Sequence, residues 1–130
     1  MIYLDTSALV KLVFEEDESA ALAEWITQRA ELPKISSELS TIELLRTCRR
    51  IDEGAIGSAT ALLAGLDLLA IDRSIVEQAS TVTPNELRSL DSIHLASALS
   101  VKTHLTAFVA YDSRLCSAAL HAGIGVESPA

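Results

Sequence analysis

Four carboxylates in this chain stand where a fold could gather them. Asp5 closes the apolar run Ile2-Tyr3-Leu4, and Asp112 closes the run from Thr106 to Tyr111. Hydroxyl residues follow each, Thr6 and Ser7 after the first and Ser113 after the second. In an open parallel sheet, ligands collect beyond the carboxyl ends of the strands. Neighbouring strands lie about 5 Å apart, so two such acids can share one cation if their strands are adjacent. Glu43 and Asp91 fall near the starts of periodic, helical segments, where the backbone dipole tolerates negative charge. Four acids in one part-buried cleft repel one another, so the arrangement calls for a divalent cation or a raised pKa. A hard ion such as magnesium takes oxygen ligands and keeps several waters.

Each acid also has a plainer reading. Asp5 and Asp112 can simply cap the helices that follow them. Glu43 completes a capping box with Ser40 and can pair with Arg46. Asp91 is the hardest to explain structurally, because Leu87, Leu90, Ile93 and Leu95 surround it and an unpartnered buried carboxylate is costly. Asp72 ends another strand candidate and reads as a helix cap. His94 follows Asp91 at helical spacing and can bond to it, as a satisfied core or rim histidine rather than a ligand. His104 and His121 read as ordinary loop and helix residues. Arg46, Arg49 and Arg50 form the only basic cluster: a solvated helix face by default, a phosphate or partner contact beside Glu43 in the sharper reading.

The elements that must position these groups follow from local pattern. Ile2 to Leu4 reads as a buried strand. Thr6 and Ser7 offer hydroxyl caps to a helix carrying Leu9, Leu12 and Val13, and a second helix begins at Ser19 and buries Leu22, Trp25 and Ile26. Lys34 to Ser37 can form a short strand. Ser40 opens a helix with Ile42, Leu45 and Ile51 as its apolar positions and Glu43, Arg46 and Arg50 on a common face, with Gly54 as its terminator. Ala55 to Ala64 is a further helix ended by Gly65. Leu66 to Ile71 reads as a strand, Arg73 to about Ser80 as a helix, Thr83-Pro84-Asn85 as a turn and Leu87 to Leu99 as a helix. Thr106 to Tyr111 is the next strand; Ser113 opens a last helix that Gly123 closes, and Val126 belongs to a terminal strand. Strands alternating with helices imply parallel pairing by right-handed crossovers. The expected fold is a three-layer α/β/α sandwich with a central, mainly parallel sheet, in one domain over residues 1–130.

Composition narrows the function classes. At 130 residues there is room for one core, and 49% hydrophobic residues can fill it. Aromatics are 4% of the chain, with Trp25 the only tryptophan, too few for a base-stacking platform. A net charge of −8 is unusual for a protein that grips phosphates by charge alone. Part of the excess is the run Glu15 to Glu18, a solvated turn between helices, and acids that ligate a metal are offset by it. Cys48 and Cys116 suit neither a disulfide framework nor a zinc site and read as small core residues. The opening lacks a secretory n-region and no apolar run is long enough to span a bilayer, so a cytoplasmic protein is expected.

Four stretches, taken together, resemble the PIN-domain ribonucleases, and among them the VapC toxins of toxin–antitoxin pairs. They are Tyr3-Leu4-Asp5-Thr6-Ser7-Ala8-Leu9-Val10-Lys11, Thr41-Ile42-Glu43-Leu44-Leu45-Arg46, the segment Leu90 to Ala98 around Asp91, and Phe108 to Leu115 around Asp112. With the lengths between them, the resemblance covers nearly the whole chain. It implies that Asp5, Glu43, Asp91 and Asp112 are an acidic quartet binding Mg2+ or Mn2+, with Thr6, Ser7 or Ser113 as auxiliary hydroxyls. Ala110 departs from the threonine that many relatives carry there, which puts a secondary hydroxyl contact in doubt and leaves the metal site untouched.

The resemblance further implies metal-assisted hydrolysis of RNA phosphodiesters. It also implies a VapB-like antitoxin whose C-terminal segment crosses the cleft and a homodimer packed through helices near the N-terminal half; Arg46 and Arg50, from the basic cluster, are the candidate contacts to RNA or antitoxin. Two rivals remain: a non-catalytic PIN-like scaffold and a phosphoacceptor signalling domain. The latter needs adjacent acids after an early strand and a lysine after a late one, whereas Arg114 follows Asp112 and no lysine does. A haloacid-dehalogenase-type phosphatase needs a second aspartate where Ser7 stands.

Overall fold

A computed structural model describes all 130 residues. The first strand, β1 (Ile2–Leu4), leads into α1 (Thr6–Val13) and α2 (Ser19–Thr27), then β2 (Lys34–Ser37). Helices α3 (Leu39–Ile51) and α4 (Ile56–Ala64) precede β3 (Asp67–Leu69). After α5 (Arg73–Ala79) and α6 (Ser89–Ser100) come β4 (Ala107–Val109), α7 (Ser113–His121) and β5 (Val126–Glu127). The strands lie in the order β3-β2-β1-β4-β5, and every pairing is parallel. The chain leaves β1 toward β2 on one side and later returns to β4 on the other. The β1/β4 boundary is therefore the sheet's topological switch point, the place beyond the carboxyl ends where ligands bind in open α/β sheets.

Alternation along the strands builds two cores. Ile2, Leu4 and Val109 point into one, with Leu9 of α1, Leu22 of α2, Leu44 of α3 and Leu63 of α4. Tyr3 and Phe108 point to the other, with Leu95 and Ala98 of α6 and Leu115 of α7. Register enforces this, since Tyr3 pairs with Phe108 and Leu4 with Val109, so like-facing residues stack across the ladder. The three-layer α/β/α arrangement follows from burying both faces of a parallel sheet.

Several local expectations change. Asp5, and not a hydroxyl, caps α1 by accepting from the Ser7 backbone N–H at 3.2 Å. The Ser40–Glu43 capping box does not form: α3 begins at Leu39, Ser40 bonds to Ser36 at 2.6 Å, and Glu43 turns elsewhere. Ile42 and Ile51, expected as apolar anchors of α3, are both 58% exposed, while Leu44 and Cys48 are buried in their place. Helix α3 also ends at Ile51 and not at Gly54, which lies in a short 3-10 turn. Cys116 is only partly buried, so it is less a core residue than Cys48. The strand expected over Leu66 to Ile71 keeps three residues, and the Asp72 beyond it caps α5 through the Ile75 N–H at 3.0 Å. Gly123 does end α7, with φ +82° in the left-handed region. The Ile124 N–H reaches the Ala119 carbonyl and the Gly123 N–H the Leu120 carbonyl, a Schellman closure that requires such a residue.

Candidate active site

Asp5 and Asp112 follow adjacent strands, and the Asp5 N–H extends the ladder by donating to the Val109 carbonyl at 2.9 Å. Asp5 is only 5% exposed. Its Oδ2 accepts from the Ser7 hydroxyl at 2.8 Å as well as from the backbone, and Ser7 Oγ in turn accepts from the Tyr111 N–H at 3.0 Å. One small side chain thus ties α1 to the loop carrying Asp112. Asp5 Oδ1 is left facing inward, 3.5 Å from His94 Nε2.

Glu43 arrives from α3. Its Oε1 accepts from the Thr6 hydroxyl at 2.7 Å and from His94 Nε2 at 2.6 Å. A carboxylate can only accept, so the Nε2–H donates; Nδ1 of the ring lies 2.7 Å from the buried Tyr3 hydroxyl. Burial alone pushes the Glu43 carboxyl up, but the bonds from His94 and Thr6, with the charges of His94 and Arg88, bring it below its ordinary value. His94 mirrors this: burial pushes its pKa down, and Glu43 with the charges of Asp5 and Asp91 carries it above the usual value. The bond expected between His94 and Asp91 is replaced by this one, because His94 points across to α3.

Asp91 lies in the first turn of α6. Its carboxyl is held above the ordinary value by burial, countered by Arg88 and pushed further up by the charges of Asp5 and Asp112. Arg88 links Asp91 to Asp112, which puts Asp91 at the sheet edge where β1 and β4 end. Asp112 caps α7 through Oδ1, which accepts from the Arg114 and Leu115 N–H groups. Its Oδ2 faces Arg88 Nη2 at 3.6 Å, while Arg88 Nε donates to Asp91 Oδ2 at 3.2 Å. Of the auxiliary hydroxyls, Thr6 and Ser7 touch the acids. Ser113 lines a neighbouring cavity of about 730 Å³ with Leu87, Arg114, Ser117 and His121. Ala110 is fully buried in the second core, and Ser7 supplies the hydroxyl beside Asp5. Arg46 and Arg50 are exposed on α3.

Arg88 and Tyr3 are site residues that the sequence pattern did not bring forward. Arg88 stands three positions before Asp91, a spacing that signals an ion pair. Nothing local to Tyr3 announces His94, 91 residues away.

As the side chains lie, no three His, Cys, Asp or Glu groups converge tightly enough to enclose an ion. Glu43 is turned onto Thr6 and His94, and the Arg88 guanidinium reaches between Asp91 and Asp112. The donor set is nonetheless all carboxylate and hydroxyl oxygen, the chemistry of a hard divalent cation. A positive group, the Arg88 guanidinium, already lies against Asp91 and Asp112.

Comparison with known proteins adds a second line. The family profile described as PIN domain matches residues 2–120. Ribonuclease VapC47 of Mycobacterium tuberculosis (strain CDC 1551 / Oshkosh) is 42% identical over 99% of this chain and 97% of its own length. Ribonuclease VapC35 of the same strain is 44% identical over the same shares. Among solved structures, the Mycobacterium tuberculosis VapC20 toxin, described as cleaving the sarcin-ricin loop, superposes with a TM-score of 0.75 at 18% identity, covering 99% of this chain and all of that one. FitAB bound to an IR36 DNA fragment superposes at 0.72 with 16% identity, over 99% and 95%.

Proposed function

Because this chain belongs to the PIN-domain family, and its relatives are named VapC ribonucleases, we propose that it is a metal-dependent endoribonuclease and the toxin of a VapBC-like pair. What supports the site assignment is that Asp5 and Asp112 follow the adjacent strands β1 and β4, while Arg88 links Asp112 to Asp91 and Thr6 of α1 bonds Glu43 on α3.

In this reading Asp5, Asp91 and Asp112 hold Mg2+ or Mn2+, with Glu43 as a further ligand or as the group that orients the attacking water. When bound, such an ion lowers the pKa of its water and neutralises charge on the phosphate. The chain's own residues prepare the rest. Ser7 fixes the Asp5 carboxylate, and Thr6 and His94 keep Glu43 ionised and able to accept a hydrogen bond from water. The test is direct: the purified chain, free of antitoxin, should cleave RNA with Mg2+ or Mn2+ and stop with EDTA. No cleavage under either ion sinks the enzyme reading and leaves the non-catalytic scaffold.

Arg46 and Arg50 are assigned to the RNA phosphates or to the antitoxin. Replacing both with alanine should weaken RNA binding and flatten its dependence on log salt by about 0.7 for each single-strand phosphate that is no longer neutralised. An unchanged salt slope removes them from the RNA path.

A VapB-like antitoxin, with its C-terminal segment across the acidic cleft, is the proposed protein partner, and a homodimer through the N-terminal helices is the proposed assembly. Light scattering over a range of concentrations decides the assembly, a monomer mass throughout ending it. No helix is long and apolar enough to cross a membrane.

A further inference from the structure

Arg88 immediately precedes α6 in extended backbone, φ −62° and ψ 148°, and its side chain makes no helix-capping bond. It reaches instead over the acid cluster, with Nε 3.2 Å from Asp91 Oδ2 and Nη2 3.6 Å from Asp112 Oδ2. Its charge also acts on Glu43. A side chain 67% exposed is not locked by packing, so these two acids are what hold it there. We infer that Arg88 is the site's own counter-ion, and that an entering divalent cation must displace its guanidinium from Asp91 and Asp112.

Arginine and cation would compete for the same acceptors. Asp112 has spent Oδ1 on the α7 cap, so Oδ2 is the atom with which it can ligate an ion, and Arg88 faces that atom. Asp91 Oδ2 is likewise the oxygen that Arg88 engages. Guanidinium has donors and no acceptor, so it cannot join a coordination shell; its positive charge also opposes a second cation on the same oxygens. In the absence of metal the same contact relieves repulsion among the acids, which gives the arginine a reason to be there. Arg88 thus sets how strongly the site retains its ion.

This inference rests on the acid-site reading above, and the experiment separates the two. Mn2+ binding to the full chain is measured by isothermal titration calorimetry for wild type, Asp5→Asn, Arg88→Ala and Arg88→Lys, with thermal melts confirming that each variant is folded. Asp5→Asn should lose Mn2+ binding; if it binds as tightly as wild type, the ion sits elsewhere and the acid-site reading falls, taking this inference with it. Given that loss, Arg88→Ala should bind Mn2+ about threefold to tenfold more tightly than wild type, the range expected for freeing two ion pairs whose arginine is largely exposed. Arg88→Lys, a point charge without the planar fork, should fall between. The gap between wild type and Arg88→Ala should also close as salt is raised, because exposed charges are screened. An Arg88→Ala affinity equal to or weaker than wild type overturns the inference and makes Arg88 a residue that only orients Asp91.

Discussion

Asp5→Asn and Asp91→Asn are each expected to reduce RNA cleavage by about 100-fold or more, since even outer-shell partners of a metal site cost about 10- to 100-fold and a direct ligand costs more. The fold should survive both changes. Asn at position 5 keeps an oxygen for the Ser7 N–H, so the α1 cap persists, and one charge leaves a crowded set. At position 91 the substitution removes the carboxylate that burial and its neighbours already disfavour in ionised form. Cleavage assays read beside thermal melts separate catalysis from stability. Variants that melt like wild type and still cleave at the wild-type rate would remove the named residue from the site.

The second large effect concerns stability. His94 is 1% exposed and joins the buried Tyr3 hydroxyl to Glu43. His94→Ala opens a cavity and strips a partner from both. Large buried truncations cost about 2–5 kcal/mol, and an unsatisfied buried polar group adds about 1–3. A net loss of about 3–5 kcal/mol is expected, a large share of the roughly 5–15 kcal/mol that holds a domain folded. Urea titration measures it, and a loss below about 1 kcal/mol would mean the ring is dispensable to the core.

The same residue fixes a pH dependence in EDTA, without metal. His94 has a raised folded pKa, so its contribution is fully present below its unfolded value near 6.5 and is lost as pH rises through the folded value. Glu43 has a lowered one, so its contribution is present above an unfolded value near 4.5 and is lost as pH falls through the folded value. Stability from this pair is therefore greatest between those limits, and the alkaline decline should vanish in His94→Ala.

The chain's local patterns carried much of this. Alternating strands and helices, acids closing Ile2–Leu4 and the strand before Asp112, and the caps at Asp72 and Asp112 are properties of contiguous residues. Backbone geometry converts such patterns into elements without reference to the rest of the chain. The strand order also made good the condition on which Asp5 and Asp112 depended, because β1 and β4 are neighbours.

What the sequence by itself could not determine is which groups satisfy one another. Ser40 and Glu43 had the spacing of a capping box, yet Ser40 bonds Ser36 and Thr6, and Glu43 bonds Thr6 and a histidine 51 residues away. His94 had Asp91 three residues off and took Glu43 instead. Ile42 and Ile51 looked like core and face outward, because the packing of α3 on α1 and α4 chose Leu44 and Cys48. Each outcome depends on strand register and helix packing, which place donors beside acceptors that chain spacing keeps far apart. Periodicity is local and forms the elements; side-chain pairing is non-local, and only the assembled layers decide it.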